Sequence, residues 1–240
     1  MSTPVFLCED LTPSRIVLDG AEGRHAAGSR RMLPGEAVDL VDGRGTRASC
    51  RVVSSGRDSL VLEVVARAVE PAPSPRLVLV QALPKGDRGE LAVELATEVG
   101  LDEVVPWVAA RCVMQWKGDR GDKQLQRWRS TAREAAKQSR RAHVPEVAAL
   151  HTTAQVAARL RGATGLVLHE AASAPLTSVA LPDDGDVVLV VGPEGGIDER
   201  ELEVFAEAGA AAVRLGPTVL RTSTAGAAAA AVLSARTGRW

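Results

Sequence analysis

The chain has 240 residues and a formal net charge of −1, because 29 Lys and Arg are set against 30 Asp and Glu. This length suits one large domain or two modest ones. The near-neutral charge excludes a polycation. Tyr is absent and there are only 2 Phe and 4 Trp, which weighs against an aromatic platform that stacks RNA bases.

The cysteines and the apolar runs exclude further classes of protein. Cys8, Cys50 and Cys112 lie far apart and form no Cys-x-x-Cys pair, so neither a metal site nor a disulfide framework is indicated. Free thiols in a reducing cytosol are expected. The first residues lack the pattern of a signal peptide, and no apolar run approaches the ~20 residues that span a bilayer. The sequence predicts a cytoplasmic protein without a membrane segment.

The first part of the chain consists of short strand-like segments. In EAVDLVDGRGTRASCRVVSS, apolar and polar residues alternate around Asp42-Gly43 and Gly45, which predicts a β-hairpin. SLVLEVVARAV predicts another strand. VEPAPSPR carries three prolines at alternate positions and predicts a linker. We therefore assign 1–70 to a small β domain, 71–76 to a proline-rich linker and 77–240 to a second domain.

Strands and helices alternate after the linker. Strands are predicted in RLVLVQAL, EVVPWVA, TGLVLHE, DVVLVVG and AAVRLG. Helices are predicted over DRGELAVELATEVGL, which ends near Gly100, and over DKQLQRWRSTAREAAKQSRR, which stops before Pro145. Helix-like segments also lie between or after the last three strands. This alternation predicts an α/β domain with a mainly parallel sheet.

The last three predicted strands each end in a loop of unusual composition. These loops are HEAASAP after Leu168, GPEGGIDE after Val191 and GPTVLRTSTAG after Leu215. Ligands of parallel α/β sheets bind outside the carboxyl ends of the strands, so three adjacent ends would form one pocket. Glycine and proline are also ordinary turn residues, and each loop taken alone fits that simpler interpretation.

The composition of these loops argues against a polyphosphate ligand. They contain neither GxxxxGK[ST] nor GxGxxG. The helix predicted after GPEGG opens with Asp198, Glu199 and Glu201, and these carboxylates would compete with phosphate for the free N–H groups of the helix start. The pattern favours a nucleoside without a polyphosphate, and S-adenosylmethionine, whose sulfonium is positive, fits it.

Two motifs in combination resemble a known family. LVVGPEGGIDERELE followed by VRLGPTVLRTSTA is similar to the signature of the RsmE family, SPOUT-class methyltransferases that methylate N3 of a uridine in 16S ribosomal RNA. RHAAGSRRMLPGEAVDLVDGRG, LPKGDRGELAVELATEVGLDEVVPWVAARC and AAKQSRRAHVPEV also resemble segments of the family, so the similarity runs from about Arg24 onward. Ser223 stands where the family usually has Glu, and Lys137 stands where Glu is common.

The resemblance implies an architecture that composition and periodicity do not reach. It implies an α/β fold with a SPOUT-type parallel sheet, a C-terminal trefoil knot whose loops bind S-adenosylmethionine, and an N-terminal PUA-like β-barrel that binds RNA. True knots are nearly absent from other proteins. It also implies a homodimer whose partner is 16S rRNA or the small ribosomal subunit. The alanine-rich segment from Ala225 to Ala235 fits close helix packing, but it fits an ordinary buried helix equally well.

The resemblance assigns the cofactor to the three loops. The cofactor-binding candidates are Leu168, His169, Glu170, Gly192, Pro193, Glu194, Gly195, Gly196, Leu215, Gly216, Leu220, Thr222, Ser223 and Ala225. The catalytic candidate is Arg221, whose guanidinium would stabilise the charge on the uracil oxygens after N3 loses its proton. A clamp on loop carbonyls is the alternative role of Arg221. Glu194 lies in the right motif for a base but fits a loop-holding role too, so the base stays unassigned.

Lys and Arg outnumber Asp and Glu in the segment 111–143, which predicts contact with RNA phosphates. On the predicted helix, several of these cations recur at spacings of three or four along one face. A solvated surface is the alternative interpretation. With a second basic patch in the β domain, the RNA-binding candidates are Arg24, Arg30, Arg31, Lys85, Arg129, Arg133, Lys137, Gln138 and Arg141.

Two other functions remain open at this point. One is a SPOUT methyltransferase that acts on another RNA position or on a ribose 2′-OH, against which the LRTSTA segment and the β domain argue. The other is a non-catalytic RNA-binding protein of ribosome assembly, which keeps the fold without the cofactor. The intact GPEGG motif argues against this second alternative.

Overall fold

The computed structural model describes residues 3–240, which separate into two compact units. The first unit comprises the chain up to Ala72 together with Ala136–Val144, and the second comprises Pro73–Ala135 and Pro145–Trp240. Among these residues, no helix is both long enough and apolar enough to cross a membrane.

The segment Ala136–Val144 differs from the sequence-based division, which assigned it to the second domain. Ala142 and Val144 pack against Val5 and Leu7 of the first unit. The N–H of Gly45 also donates to the carbonyl oxygen of Ala142 at 3.1 Å. These contacts join residues that are about a hundred positions apart, so periodicity along the chain carries no signal for them.

The first unit is built on one five-stranded sheet. Its strands run in the order β1-β3-β4-β5-β2, and only the β1–β3 pair is parallel. Residues from both edge strands, including Phe6 and Ile16, belong to one hydrophobic core, so the sheet curves around that core. A π-helical turn, His25–Ser29, follows α1. The elements are β1 (Val5–Leu7), β2 (Arg15–Leu18), α1 (Gly20–Arg24), β3 (Ala37–Val41), β4 (Thr46–Ser55) and β5 (Leu60–Val69).

The hairpin predicted around Asp42-Gly43 is confirmed by the antiparallel pair of β3 and β4. One carboxylate oxygen of Asp42 accepts the N–H groups of Arg44 at 2.7 Å and of Thr46 at 2.9 Å. Partial burial raises the pKa of Asp42, but the hydrogen bonds from Arg44 and Thr46 outweigh it, so the pKa lies below its ordinary value. A charged acceptor therefore closes this turn.

The second unit is an α/β domain with a six-stranded sheet. Its order is β11-β9-β10-β6-β7-β8, and all five pairings are parallel, which confirms the predicted parallel sheet. The long helix α3 runs on from this unit into the first one. The elements are β6 (Arg76–Ala82), α2 (Arg88–Glu98), β7 (Glu103–Trp107), α3 (Gly118–Gln138), β8 (Glu146–Val147), α4 (Thr153–Leu160), β9 (Thr164–Leu168), β10 (Asp186–Val191), α5 (Glu199–Glu207), β11 (Ala211–Val213) and α6 (Thr222–Arg236).

The long helix α3 ends earlier than its sequence pattern predicts. Arg140 adopts a left-handed backbone with φ of 59°. The N–H of Arg140 then donates to the carbonyl of Lys137 at 3.1 Å, and that of Arg141 donates to Ala136 at 2.9 Å. This pair of bonds is the Schellman arrangement that closes a helix, usually with glycine at the left-handed position. Because Arg occupies that position here, no glycine marks the end of the helix in the sequence.

Helices cover both faces of the parallel sheet. Leu77 and Leu79 of β6 belong to one core with residues of α2, α3 and α6. Val78 and Val80 alternate with them and belong to a second core with residues of α4 and α5. This two-sided burial explains the nearly continuous apolar strands. The ends of β9, β10 and β11 lie side by side, as one pocket at this edge requires.

A buried arginine, Arg239, links the residues that precede strands β6 and β7. Both Nη atoms of Arg239 bind the Asp102 carboxylate, at 2.6 and 3.0 Å, and they also donate to the carbonyls of Gly100 and Pro75. The two charged side chains are only 10% and 9% exposed. The same carboxylate accepts the N–H of Leu77 at 2.9 Å.

We expect Arg239→Ala to lower the free energy of unfolding by about 3–5 kcal/mol, because it leaves a buried carboxylate without its cation. Arg239→Lys should recover only part of this loss, since an ammonium cannot make the two-pronged contact. Urea unfolding measures both effects. The exposed Arg200 is the control, and Arg200→Ala should change stability by no more than about 0.5 kcal/mol. Equal unfolding midpoints for Arg239→Ala and wild type would contradict the structural role of this ion pair.

Candidate active site

A cavity of about 270 Å³ lies in the second unit at the carboxyl ends of β9, β10 and β11 and beside the start of α6. Its walls come from the three loops that the sequence singled out. The lining residues are Leu168, His169, Glu170, Val191, Gly192, Pro193, Glu194, Gly196, Ile197, Arg214, Leu215, Gly216, Pro217, Thr218, Val219, Leu220, Thr222 and Ala225.

The structure brings together all the predicted cofactor-binding residues except Gly195 and Ser223. Ser223 is 2% exposed on the first turn of α6. A Cβ built on Gly195 would lie 3.3 Å from the Cβ of Arg111. It would thus face a neighbouring arginine, and the assignment of Gly195 and Ser223 to the cofactor site stays a prediction.

The GPEGG loop is a tight turn with a left-handed glycine. Gly196 has φ of 74°, and its N–H donates to the carbonyl of Pro193 at 2.9 Å. A Cβ on Gly192 would lie only 2.6 Å from Cγ1 of Ile197. Arg111 supports the turn from outside, because its guanidinium donates to the carbonyl of Gly195 at 3.2 Å and binds Asp198 at 3.3 Å. The loop therefore depends on glycine at 192 for space and at 196 for conformation.

Carboxylates occupy the start of α5, as the sequence predicts. Asp198 caps the helix by accepting the N–H of Arg200 at 3.1 Å, and Glu201 completes the capping box by accepting the N–H of Asp198. Glu201 is buried and also accepts from the N–H of Ala110 at 2.9 Å and the hydroxyl of Thr153 at 2.8 Å. The side chains of Asp198 and Glu201 thus accept the N–H groups at the helix start that a pyrophosphate would need.

Glu194 holds the loop that follows β6. Its carboxylate accepts the N–H of Lys85 at 3.2 Å and lies 4.0 Å from the guanidinium of Arg88. The side chain is 27% exposed and also lines the cavity. This geometry supports the loop-holding interpretation of Glu194.

Arg221 forms the N-cap of α6 and is exposed. Its backbone carbonyl accepts the N–H groups of Thr224 at 2.9 Å and Ala225 at 3.0 Å. Within residues 3–240, the Arg221 guanidinium makes no hydrogen bond or ion pair, so the loop clamp considered above is not formed. The residue does not line the cavity itself, and its catalytic role stays a prediction.

Sequence reasoning missed Arg214, the one guanidinium among the cavity residues. Its backbone N–H donates to Ala174 and its carbonyl accepts from Leu176, both at 2.8 Å, which ties the loop after β11 to the loop after β9. Arg214 directly precedes Leu215-Gly216, so the same strand-end argument was available for it. The other missed lining residues are Val191, Ile197, Pro217, Thr218 and Val219.

In the first unit, Lys137 is not part of an exposed basic face. Its side chain is 8% exposed, and Nζ lies 2.9 Å from Oε1 of Glu22, whose side chain is 14% exposed. This buried ion pair argues against the prediction that Lys137 contacts phosphate, which the salt dependence of RNA binding tests. The other candidates in this unit, Arg24, Arg30, Arg31, Gln138 and Arg141, are exposed or half-buried.

In the second unit, Lys85, Arg129 and Arg133 are exposed. Arg129 donates through Nε to the carbonyl of Val147 at 3.1 Å, which fixes the side chain along α3 and leaves both Nη groups for another acceptor. Trp128 and Ala132 are buried on another face of the same helix. The amphipathic division of this part of α3 follows the predicted pattern.

Burial makes the three thiols less reactive than free cysteine. All three cysteines are free, and burial, followed by the nearby Asp39 charge, raises the pKa of Cys50 to about 11. Burial also raises the pKa values of Cys8 and Cys112, so none of the thiols is an activated nucleophile. Over the described part of the chain, His, Cys, Asp and Glu form no cluster of three or more that could hold a metal ion.

Comparison with known proteins defines the class. Residues 70–234 match the family model described as an RNA methyltransferase domain, and residues 18–65 match one described as an RNA methyltransferase PUA domain. The parallel sheet with its strand-end pocket is thus the fold of an RNA methyltransferase, and the smaller unit contains its PUA domain.

Curated relatives define the family. Ribosomal RNA small subunit methyltransferase E of Mycobacterium bovis is 50% identical over 229 residues, which cover 93% of this chain and 87% of the relative. The Bacillus subtilis protein of the same name is 30% identical, with 92% and 90% covered. The chain belongs to the ribosomal RNA small subunit methyltransferase E family.

Solved structures agree with this assignment. The family member from Neisseria gonorrhoeae, bound to S-adenosyl methionine, superposes with a TM-score of 0.87 at 27% identity, and 98% of each chain is covered. A Legionella pneumophila methyltransferase in complex with the same cofactor superposes with a TM-score of 0.88 at 26% identity and the same coverage.

Proposed function

We propose that this chain transfers the methyl group of S-adenosylmethionine to N3 of a uridine in 16S ribosomal RNA. The cavity at the ends of β9, β10 and β11 carries this proposal, because three loops of the predicted signature meet there. Two relatives of the same fold, which this chain matches over 98% of its length, hold S-adenosylmethionine.

The cavity residues fit the chemistry of this cofactor. One wall of the cavity consists of apolar side chains and accessible backbone, contributed by Leu215, Gly216 and Leu220. Such a wall suits a flat adenine. Glu170 and Arg214 add one carboxylate and one guanidinium, which complement the ammonium and carboxylate groups of the methionine part. When bound, the cofactor supplies an electrophilic methyl group on sulfur.

The atom that receives the methyl group, N3 of uracil, is a poor nucleophile. N3 of uracil carries a proton and lies on the pairing edge, so the base has to leave its stack before the edge is free. Positioning of N3 in line with the methyl group supplies part of the rate. Loss of the N3 proton spreads negative charge onto O2 and O4, and the unpaired guanidinium of Arg221 is suited to stabilise that charge.

The trefoil knot and the homodimer are part of this proposal. The chain reaches the sheet edge at β11 and then returns to its middle, where a Cβ on Gly226 of α6 would lie 2.9 Å from the Leu79 side chain of β6. This return path supports a knot, which a crystal structure of the cofactor complex would test. Sedimentation tests the dimer, and a monomer at micromolar concentration would contradict it.

The alternative functions predict different results in two assays. A non-catalytic assembly protein should release no heat with S-adenosylmethionine in calorimetry, whereas we expect saturable binding. In a map of the methyl groups on the RNA, an enzyme that modifies ribose 2′-OH should leave the uracil base unmodified.

We propose 16S rRNA or the small subunit as the partner and the cytoplasm as the site of action, because the relatives are named for the small-subunit RNA.

The glycines of the GPEGG loop provide a matched pair of variants. Gly196→Val should weaken S-adenosylmethionine binding by about tenfold or more, because a β-branched residue at φ of 74° is strained by about 1–3 kcal/mol. Gly195→Ala should have little effect, since its Cβ meets only Arg111, at 3.3 Å from the side-chain Cβ and 3.6 Å from the backbone oxygen. Calorimetry measures both affinities. Wild-type affinity in Gly196→Val would show that the backbone conformation at 196 does not matter for the pocket.

The exposed face of α3 predicts a salt-dependent contact with RNA. Charge reversal at Arg129 and Arg133 should weaken RNA binding and reduce the slope of log K against log salt by about 1 for each lost phosphate contact. The affinity for S-adenosylmethionine should not change. Arg161→Glu, at an exposed residue after α4, is the control for a single charge reversal away from α3. An unchanged slope in the α3 variant would indicate that this face is only solvated.

A further inference from the structure

Gln81 is a buried polar residue at the end of β6, outside the cavity lining. Its side chain has 0% exposure. Its Nε2 donates to the hydroxyl oxygen of Thr222 at 2.9 Å and to the carbonyl oxygen of Ala82 at 3.1 Å. The Thr222 hydroxyl in turn donates to the carbonyl oxygen of Gly192 at 2.8 Å. This chain of hydrogen bonds joins β6, α6 and the GPEGG loop.

The direction of these hydrogen bonds follows from the available donors and acceptors. A flipped Gln81 amide would place its oxygen against the carbonyl oxygen of Ala82, so Nε2 must face that carbonyl and Thr222. Because Thr222 accepts from Gln81, its single hydroxyl proton is left for Gly192. Gln81 thus orients the Thr222 hydroxyl, whose proton points to the loop.

The acceptor at the end of this chain is the only polar atom of its peptide group. The Gly192 carbonyl belongs to the bond with Pro193, which has no N–H. The hydrogen bond from Thr222 is therefore the one that orients this peptide. Gly192, Pro193 and Thr222 all line the cavity, so a rotation of the peptide would change the surface offered to a ligand.

Folding stability alone does not account for a glutamine here. Among the described residues, Oε1 of Gln81 is buried without a hydrogen-bond partner, and an unsatisfied buried acceptor costs free energy. Methionine has a similar length and volume and would avoid that cost. An amide at this position therefore needs a reason beyond packing.

We propose that Gln81 is a positioning residue for the cofactor pocket: through the Thr222 hydroxyl it orients the Gly192–Pro193 peptide that S-adenosylmethionine contacts. This inference rests on the proposed function of the pocket. It concerns a residue that does not itself touch the ligand.

The test compares Gln81→Met with wild type in two measurements. Calorimetry should show an S-adenosylmethionine Kd that is higher by about tenfold, the effect of losing one oriented hydrogen bond. Urea unfolding of the ligand-free protein should show a midpoint that is unchanged or higher. In turnover assays the KM for S-adenosylmethionine should rise and the KM for RNA should stay constant. A merely structural residue would not separate affinity from stability in this way.

Thr222→Val provides the matched second variant, since it removes the hydroxyl and keeps the shape. The Gln81→Met, Thr222→Val double variant should bind S-adenosylmethionine no more weakly than Thr222→Val, because both changes break the same chain of hydrogen bonds. Additive losses would overturn the proposal. Wild-type affinity in Gln81→Met, or a parallel fall of affinity and stability, would also overturn it and leave the proposed function intact. If wild type itself does not bind S-adenosylmethionine, the proposed function fails.

Discussion

Replacement of Arg221 by alanine should lower the turnover number by more than about a hundredfold, the effect of removing one donor to a developing oxyanion. Arg221→Lys should fall by on the order of a hundredfold, because it keeps the charge but loses the planar group that can reach an oxygen with two donors. The affinity for S-adenosylmethionine should change little in both variants, since the Arg221 side chain does not line the cavity. Single-turnover methylation and calorimetry measure the two effects separately.

The pH dependence of the Arg221→Ala variant distinguishes charge stabilisation from loop support. If Arg221 stabilises the uracil anion, activity should recover in part as pH rises, because more of the uracil is then ionised without help. Thr224→Ala is the matched control, since Thr224 caps the same carbonyl of Arg221, and its activity should not recover at high pH. A loss of cofactor binding in proportion to activity in Arg221→Ala would contradict the catalytic role and favour support of the loop.

Lys137→Met should lower the free energy of unfolding by about 3–5 kcal/mol, because it leaves the Glu22 carboxylate buried without its cation. The second carboxylate oxygen of Glu22 is already buried without a partner in the described chain, so it cannot take over the contact. The double variant Glu22→Met, Lys137→Met should regain much of the loss, since it removes both charges. Urea unfolding measures all three proteins.

The exposed Lys123 is the control for Lys137. Lys123→Met should change stability by no more than about 0.5 kcal/mol. At temperatures where the variant is folded, Lys137→Met should leave the salt dependence of RNA binding unchanged. Full stability with a reduced salt slope would instead show that Lys137 contacts phosphate.

The sheet and the pocket were predictable from local patterns. Apolar strands that alternate with helices predict a parallel sheet, and the three glycine- and proline-containing loops after Leu168, Val191 and Leu215 predict a ligand site at its edge. The same local reasoning predicted the Asp198–Glu201 capping box and the hairpin at Asp42. Each of these features depends on residues that are neighbours in the sequence.

Lys137 and Gly195 show which structural features local patterns do not predict. The burial of Lys137 depends on Glu22, which is 115 residues away, and helical spacing identifies a face without telling what covers it. Positions 195 and 196 are both glycine, so the sequence does not distinguish them. Only Gly196 has a left-handed backbone, and a Cβ on Gly195 would face Arg111. Gln81 offered one usable signal, a polar residue at the end of an apolar strand. Its partners on α6 and in the GPEGG loop appear only in three dimensions.

The most direct test of the central proposal is a map of methyl groups added to small ribosomal subunits from a strain that lacks this protein. The purified chain and S-adenosylmethionine are added, and the RNA is examined by mass spectrometry of nuclease fragments and by reverse transcription. We predict one additional methyl group on the base of a single 16S uridine, with a stop of reverse transcription there because N3 lies on the pairing edge. A methyl group on ribose or on another base, or no transfer by protein that binds the cofactor, would contradict the proposal.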